Sequence, residues 1–211
     1  MITHLIFDLD NTLYSAVYGL EKNVSERIQK FLFDYMNIPC EESEDALSDL
    51  IRNKGYGSTI EWLMAEKGFT DIELYYSVIN PENEVDSLPS DPGLKDFLAS
   101  IPLPKAVLSN SALVHINRVL GKLGIMDEFD YIFDIHFNNY KGKPHESAFT
   151  KAIGTMKARP ETTLFIDDYP EFVASFLRIG GNALLMDEFD RHVSLPYKRV
   201  KSLREIKNFL Y

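Results

Sequence analysis

The sequence predicts an α/β fold in which a doubly wound parallel sheet is interrupted, directly after its first strand, by an all-helical segment. Short apolar runs alternate with helical patterns in the C-terminal part of the chain, as is typical of a parallel sheet. Between the first strand and Asn80 the periodicity is helical throughout. We therefore expect residues 1–14 and 89–211 to form the α/β core, and residues 15–88 to form an inserted helical cap, called the cap segment below.

The first predicted strand, Leu5 to Phe7, is a short apolar run of the kind that is buried on both faces of a sheet. Asp8 and Asp10 follow it, and two carboxylates so close together repel each other and lose solvation unless a cation neutralises them. One prediction is therefore a divalent metal site at the carboxyl end of the strand, where a carboxylate can also serve as a nucleophile. The alternative is an Asx-rich turn, since Asp and Asn favour turns.

Helix caps and apolar periodicity divide the cap segment into four predicted helices. The first starts at a capping box of Asn23 and Glu26 and ends at Pro39, the second carries Ala46 to Ile51 and stops at Gly55, the third runs from a capping box of Ser58 and Glu61 to Gly68, and the fourth runs from Asp71 to Asn80. Trp62 is predicted to lie in the core of this segment, with stacking on a substrate base as the less favoured alternative.

In the C-terminal part of the chain, four apolar runs predict the remaining strands, which alternate with helices. The predicted strands are Ala106–Leu108, Tyr131–Phe133, Thr163–Ile166 and Ala183–Met186, and the predicted helices carry Leu94–Leu98, Ile116–Leu123, Ala148–Ile153, the residues between Asp168 and Gly180, and Leu203–Phe209. Asp187, Glu188 and Asp190, which follow the last predicted strand, are expected to form a solvated acidic loop.

Three of the strands are followed by polar pairs: Ser109-Asn110, Lys143-Pro144 and Asp167-Asp168. The carboxyl ends of the strands of such a sheet lie at one edge, so these pairs are expected to meet Asp8 and Asp10 there. Acids, a hydroxyl and a lysine together suit Mg²⁺, which takes oxygen ligands, and a phosphoryl group in transfer. Each pair alone also fits a turn, a surface loop or a helix N-cap. The neighbours of Lys143, Lys141 and His145, are expected to be surface groups.

The overall charge limits the classes of partner. The chain has 22 Lys and Arg against 32 Asp and Glu, a net charge of −10, so we expect neither a nucleic acid nor an anionic membrane as partner. The single cysteine, Cys40, excludes an internal disulfide, and the sequence shows no leader or membrane-spanning run, so we expect a soluble cytoplasmic protein. The five histidines show no spacing typical of zinc ligands.

The four polar motifs together resemble those of the haloacid dehalogenase (HAD) superfamily of phosphohydrolases. They occur in the order of that superfamily: Asp8-Leu9-Asp10-Asn11-Thr12, then Ser109-Asn110, then Lys143-Pro144, then Asp167-Asp168. The resemblance covers the whole core and implies a Rossmann-like fold. It also makes the cap segment similar to the cap that the superfamily inserts after its first motif.

The resemblance implies a role for each motif residue. Asp8 is expected to attack phosphorus and become an aspartyl-phosphate, while Asp10 protonates the leaving oxygen and then deprotonates the hydrolytic water. Ser109 and Asn110 are expected to bind the phosphate group. Lys143 is expected to bind it as well and to neutralise charge on the nucleophile and the phosphoryl group.

The resemblance also implies a cofactor and an activity. Mg²⁺ is expected to be held by Asp8, by the backbone carbonyl of Asp10, and by Asp167 and Asp168, with Asp168 binding directly. The implied function is hydrolysis of a small phosphomonoester by a monomer or homodimer. The superfamily groups that cleave carbon–halogen bonds lack the second acid of the first motif, so Asp10 favours phosphate chemistry. The alternatives are a phosphomutase acting on a sugar phosphate and a catalytically idle binding or regulatory protein.

A finer resemblance connects the chain with the pyrimidine 5′-nucleotidase branch of the superfamily. It is carried by Asp10-Asn11-Thr12-Leu13-Tyr14 and by Lys143-Pro144-His145-Glu146-Ser147-Ala148-Phe149. It implies a nucleoside 5′-monophosphate as substrate. Members of that branch often follow the acidic pair with a serine and, three residues later, an asparagine, whereas this chain has Tyr169 and Phe172.

Overall fold

A computed structural model describes residues 1–38, 51 and 53–210 of the chain. Its sheet is built from six parallel strands in the order β3-β2-β1-β4-β5-β6. The strands are β1 (His4–Phe7), β2 (Lys105–Leu108), β3 (Tyr131–Phe133), β4 (Thr163–Asp167), β5 (Asn182–Met186) and β6 (Arg199–Val200). Because the chain adds β2 and β3 on one side of β1 and then places β4 on the other, the strand order reverses between β1 and β4. Open α/β sheets bind their ligands at such a reversal.

Seven α-helices lie entirely within the described ranges. They are α1 (Leu20–Met36), α2 (Thr59–Lys67), α3 (Ile72–Ile79), α4 (Pro92–Ala99), α5 (Leu113–Leu123), α6 (Glu146–Thr155) and α7 (Pro170–Arg178). None of these helices has both the length and the apolar composition that are needed to cross a lipid bilayer.

Helices cover both faces of the sheet, as the prediction of a doubly wound core requires. Side chains alternate between the faces along a strand, so Leu5 and Phe7 of β1 pack into one apolar cluster with residues of α4 and α5. Ile6 lies in a second cluster, with residues of α6 and α7. All three of these β1 side chains are fully buried, which explains why the strand reads as a continuous apolar run. The predicted fold class is confirmed.

A third apolar cluster is formed mostly by residues of the cap segment. Its buried residues include Phe31 of α1 and Tyr75 of α3, whose rings meet edge to face with centroids 5.1 Å apart. Trp62 belongs to the same cluster and is 4% exposed, as expected for a core residue. Ala112 and Ile135 of the α/β part complete the cluster, so the cap segment rests directly on the polypeptide that follows β2 and β3.

Of two helix starts predicted in the cap segment, one differs from the structure and one agrees with it. The first helix begins at Leu20, and not at the predicted capping box of Asn23 and Glu26. A 3-10 turn capped by Ser15 comes before it, and Gly19 adopts φ 70°, which lets the chain turn directly into the helix. The box of Ser58 and Glu61 does cap α2, since the Ser58 hydroxyl accepts the Glu61 N–H. Pro39 and residues 46–50 of the second predicted helix lie outside the described residues.

The C-terminal end of the sheet departs from the prediction. The sequence pattern does not predict the short edge strand β6, in which Val200 pairs with Met186 of β5. Asp187, which was expected in a solvated loop, is 3% exposed. Its carboxylate accepts a hydrogen bond from Arg199 Nη1 at 2.8 Å, so it belongs to the packing of this edge. The last predicted helix, Leu203–Phe209, is a 3-10 helix.

Candidate active site

The polar residues after β1 and β4 lie side by side where the strand order reverses. Phe7, the last residue of β1, is in register with Ile166 of β4, and the Asp8 N–H donates to the Ile166 carbonyl at 2.9 Å. Asp8 and Asp167 therefore emerge at the same level of the sheet. Ser109 emerges beside them, directly after β2, and is 2% exposed. The expectation that these strand ends meet at one edge is confirmed for Asp8, Ser109 and Asp167.

Lys143 reaches this edge from the loop after β3 and bridges the two acids. Its Nζ lies 2.5 Å from Asp8 Oδ1 and 2.6 Å from Asp167 Oδ2, and the side chain is 1% exposed. The loop is held in place by Asn110, whose Oδ1 accepts the Lys143 N–H at 2.8 Å while its Nδ2 donates to the Lys143 carbonyl at 2.7 Å. The side chain of Asn110 is thus engaged with backbone, and its predicted contact with phosphate stays a prediction.

Four ionisable groups in this part of the site have shifted pKa values. Burial raises the pKa of the Asp8 carboxyl although Lys143 opposes the shift, and burial raises that of Asp167 to about 7. Burial, with the nearby charges of Asp167 and Asp8, also raises the pKa of Asp168 well above its usual value. Burial alone would lower the pKa of Lys143, but the carboxylates of Asp167 and Asp8 raise it. The three acids and one lysine therefore form a site that favours a further positive charge.

The geometry of the three acids fits a hard divalent cation. Oxygen atoms of Asp8, Asp167 and Asp168 lie within 4.8 Å of one another. Asp167 Oδ2 is bound by Lys143 and its Oδ1 accepts the Tyr169 N–H. Asp168 Oδ1, by contrast, is buried with no hydrogen-bond partner among the described residues. A buried carboxylate oxygen without a partner is costly, and Mg²⁺ binds oxygen ligands of this kind. The predicted ligand set fits the ion, and the part assigned to the Asp10 carbonyl stays a prediction.

Asp10 lies in a different environment. Its Oδ1 accepts hydrogen bonds from the Tyr14 hydroxyl at 2.5 Å and from His115 Nε2 at 2.8 Å, and its Oδ2 accepts one from the Ser111 hydroxyl at 3.1 Å. Burial raises the pKa of a carboxyl group, but His115 and the other donors outweigh burial here and lower the pKa of Asp10. Sequence reasoning did not find Tyr14, Ser111 or His115 as site residues.

A cavity of about 210 Å³ lies between these strand ends and the cap segment. On the core side it is lined by residues that include Asp8, Asp10, Ser109, Asn110 and Lys143. On the opposite side it is lined by cap-segment residues that include Glu21, Val24, Ile28, Ser58, Thr59, Ile60, Tyr75, Tyr76 and Ile79. The cap segment therefore faces the strand ends, and a small ligand in this cavity would contact both.

Direct contacts join the cap segment to the motif residues. Glu21 of α1 accepts hydrogen bonds from the Tyr169 hydroxyl, at 2.7 Å, and from Asn11 Nδ2. Glu61 of α2 lies 3.0 Å from His145 Nε2, so His145, whose side chain is 30% exposed, also contacts the cap segment. A Cβ atom on Gly57 would lie 2.5 Å from the Lys143 carbonyl oxygen, so only glycine fits there without movement of the backbone.

Residues 2–180 match the family described as haloacid dehalogenase-like hydrolase. The chain belongs to this family. Among relatives of known activity, a glyceraldehyde 3-phosphate phosphatase of Methanocaldococcus jannaschii is 27% identical over 176 residues, which are 80% of this chain and 77% of that protein. The resemblance noted in the sequence is thus confirmed, and with it the prediction that the chain is a hydrolytic enzyme.

Solved structures of HAD proteins have the same fold. The L-2-haloacid dehalogenase of Xanthobacter autotrophicus superposes with a TM-score of 0.64 at 17% sequence identity, over 100% of both chains. The HAD-hydrolase YfnB of Bacillus subtilis, in a form bound to magnesium, superposes with a TM-score of 0.67 at 18% identity and covers 99% of this chain and 98% of its own. At these identities the likeness shows the fold of this HAD hydrolase alone.

Proposed function

We propose that this HAD hydrolase is a Mg²⁺-dependent phosphatase that hydrolyses a small phosphomonoester through an aspartyl-phosphate on Asp8. The observation that carries the proposal is the cluster of Asp8, Asp167 and Asp168, in which Lys143 bridges Asp8 and Asp167 and Asp8 lines a cavity together with Asp10. This reaction requires a nucleophilic carboxylate, a positive charge beside the transferred phosphoryl group, and a group that transfers protons.

The first half of the reaction transfers the phosphoryl group to Asp8. An Asp8 carboxylate oxygen forms a bond to phosphorus as the bond to the ester oxygen breaks, and Asp10 gives its proton to that leaving oxygen. The pKa of Asp10 is low in the present arrangement, but a phosphate dianion beside Asp10 opposes its ionisation because like charges repel. Mg²⁺ would supply charge neutralisation at Asp8, Asp167 and Asp168.

The second half of the reaction regenerates the enzyme. Asp10 takes a proton from water, the water oxygen forms a bond to phosphorus, and the bond to Asp8 breaks to release inorganic phosphate. The lowered pKa of Asp10 suits this step, since the ionised form is the base. Lys143 remains bound to Asp8 and faces the charge that develops on its oxygens, and the Ser109 hydroxyl lies in the same cavity wall.

The substrate that these features favour is a compact phosphometabolite. The cavity of about 210 Å³ is closed on one side by the cap segment, residues 15–88, which we propose acts as a lid that excludes water during transfer. The related enzyme of M. jannaschii, named for a triose phosphate, supports a substrate of that size. A nucleoside 5′-monophosphate is the larger candidate, since Tyr75 and Tyr76 in the cavity wall offer aromatic surface to a base.

The proposal is tested by phosphate release from a panel of compounds: glyceraldehyde 3-phosphate, phosphoglycolate, nucleoside 5′-monophosphates, hexose phosphates and p-nitrophenyl phosphate. We expect release from at least one small metabolite with Mg²⁺, loss of release in EDTA, and poor release from a folded phosphoprotein. Full activity in EDTA would remove the metal from the mechanism. Movement of the phosphoryl group from one hydroxyl of a hexose phosphate to another, without release of phosphate, would identify a phosphomutase. The absence of any reaction with these compounds would support a binding role.

A further inference from the structure

The carboxylate of Asp10 is held from behind by a buried histidine that none of the four motifs contains. His115 lies in the first turn of α5 and is 1% exposed. Its Nε2 is 2.8 Å from Asp10 Oδ1, and its Nδ1 is 2.9 Å from Glu84 Oε2. The imidazole ring thus connects the carboxylate in the site to a second carboxylate in the cap segment.

Both contacts fix the orientation of the ring. A carboxylate oxygen is an acceptor, so each ring nitrogen serves its partner best as a donor, and a flipped ring would place carbon atoms at both positions. Neither His115 nor Glu84 lines the cavity in the described part of the chain, so a substrate would meet Asp10 and not the pair behind it. Any effect of this pair on the reaction must pass through Asp10.

Glu84 is itself anchored. Its Oε2 accepts a hydrogen bond from Asn80 Nδ2 at 2.8 Å, and its Oε1 accepts one from Arg118 Nη1 at 3.1 Å. Arg27 of α1 lies 3.9 Å from Oε2 as a further positive charge. Glu84 therefore stays in place through contacts with both α1 and α5, and a displacement of the cap segment at Asn80 to Glu84 would loosen His115.

We propose that His115, held by Glu84, is a positioning residue that orients the Asp10 carboxylate for proton transfer to the leaving oxygen. The proposal deepens the proposed function and rests on it. It also makes the catalytic geometry of the core depend on one residue of the cap segment, so that the Asp10 carboxylate is fully held only while Glu84 is in place. Tyr14 and Ser111 hold the same carboxylate from the core alone.

The two amide replacements of His115 make a matched pair. In His115→Gln the side-chain NH₂ extends to the position of Nε2 and keeps a donor for Asp10, whereas in His115→Asn it sits near Nδ1 and keeps a donor for Glu84 only. Each variant loses one of two buried hydrogen bonds, so we expect similar melting temperatures. Mg²⁺ affinity measured by calorimetry should be unchanged in both.

The two variants are expected to differ in their rates on substrates whose leaving oxygen needs a proton. We expect His115→Asn to lose about tenfold or more of kcat on an alkyl phosphate, whose leaving oxygen needs a proton, and several-fold less on p-nitrophenyl phosphate, which does not. His115→Gln should keep the wild-type ratio of the two rates. Equal losses in both variants on both substrates would assign His115 a structural role only and would overturn the proposal.

An experiment that does not depend on catalytic turnover tests this proposal separately from the proposed function. Long-range ¹H–¹⁵N spectra of the imidazole rings, with the His115 signals identified from their absence in His115→Asn, should change at Nε2 in Asp10→Asn. They should not change in the control Glu66→Gln, which alters an exposed acid. Unchanged signals in Asp10→Asn would overturn the proposal whether or not the enzyme hydrolyses phosphate esters. A wild-type enzyme without phosphatase activity would overturn the proposed function and the catalytic role of His115, and the spectra would still decide whether the two side chains are bonded.

Discussion

The two acids of the first motif lie two residues apart and occupy opposite environments. Asp8 shares a buried edge with Asp167 and Asp168, and burial raises the pKa of all three carboxyl groups. Asp10 is surrounded by donors from Tyr14, Ser111 and His115, and its pKa is lowered. The cluster of Asp8, Asp167 and Asp168 favours an added cation, whereas the charge of Asp10 is already balanced by hydrogen-bond donors of the protein. One short loop thus places two carboxylates in opposite environments, as the proposed division between a nucleophile and a group for proton transfer requires.

The largest expected effect is the loss of catalytic activity when Asp8 is replaced. Asp8→Asn should reduce turnover by about a thousandfold or more, because an amide oxygen does not attack phosphorus and binds Mg²⁺ poorly. Steady-state phosphate release, with a circular dichroism spectrum to check the fold, measures the effect. Retention of a tenth of the wild-type rate, a change of only about 1.4 kcal/mol in the barrier, would exclude Asp8 as nucleophile.

The comparison also predicts stability changes of opposite sign in the absence of metal. Asp10→Asn removes the charged partner of a buried histidine and should lower the free energy of unfolding by about 3 kcal/mol. Asp168→Asn removes one of several repelling carboxylates and should raise it by about 1 kcal/mol. Urea unfolding in EDTA measures both values. Two changes of the same sign would show that the two environments do not differ as described.

Mg²⁺ should stabilise the enzyme through the carboxylates of Asp8, Asp167 and Asp168 and not through the carboxylate of Asp10. Saturation to a hundred times the dissociation constant is expected to add about 2.7 kcal/mol to the free energy of unfolding of the wild type. Asp168→Asn should lose most of this gain, because it neutralises the carboxylate whose Oδ1 has no hydrogen-bond partner among the described residues. Thermal unfolding across a Mg²⁺ titration provides the data. An equal gain in wild type and Asp168→Asn would place the ion elsewhere.

A smaller effect is expected in the dependence of stability on pH. The carboxylates of Asp10 and Glu84 outweigh burial and raise the pKa of His115 from 6.5 to about 10. The folded state then holds a proton that the unfolded state releases between these values. The contribution of His115 to the free energy of unfolding is fully present below pH 6.5 and is lost as the pH rises towards 10. The free energy of unfolding then falls by up to about 1.4 kcal/mol per pH unit. Urea unfolding between pH 6.5 and 10 should show a shallower slope in His115→Gln, and identical slopes would contradict the assignment.

The sequence was sufficient to predict the parts of the fold and site that depend on local pattern. Buried parallel strands read as apolar runs, and the residue after such a run must lie at the carboxyl edge, so Asp8, Ser109 and Asp167 were placed correctly. Lys143 was expected at the same edge, but alone it also fitted a surface loop, so the strand pattern did not assign it a role. The resemblance to a family supplied that assignment.

Several residues around the two acids of the first motif were missed for physical reasons that differ from residue to residue. His115 falls on the apolar stripe of α5 with Ile116 and Val119, and a histidine on a buried stripe needs a polar partner, which was a usable signal. Glu84 gave no signal, since its contacts come from other elements. Glu21 and Tyr169 are brought together only by the packing of α1 against the core.

Trapping of the phosphorylated enzyme tests the central claim most directly. In Asp10→Asn the second half of the reaction loses its base, so the enzyme–phosphate should accumulate when p-nitrophenyl phosphate is supplied with Mg²⁺. After an acid quench and proteolysis, mass spectrometry should find one added phosphoryl group on the peptide that contains Asp8, and none when EDTA replaces Mg²⁺. A phosphoryl group on another residue, or hydrolysis by this variant with no phosphorylated peptide at any time, would contradict the account.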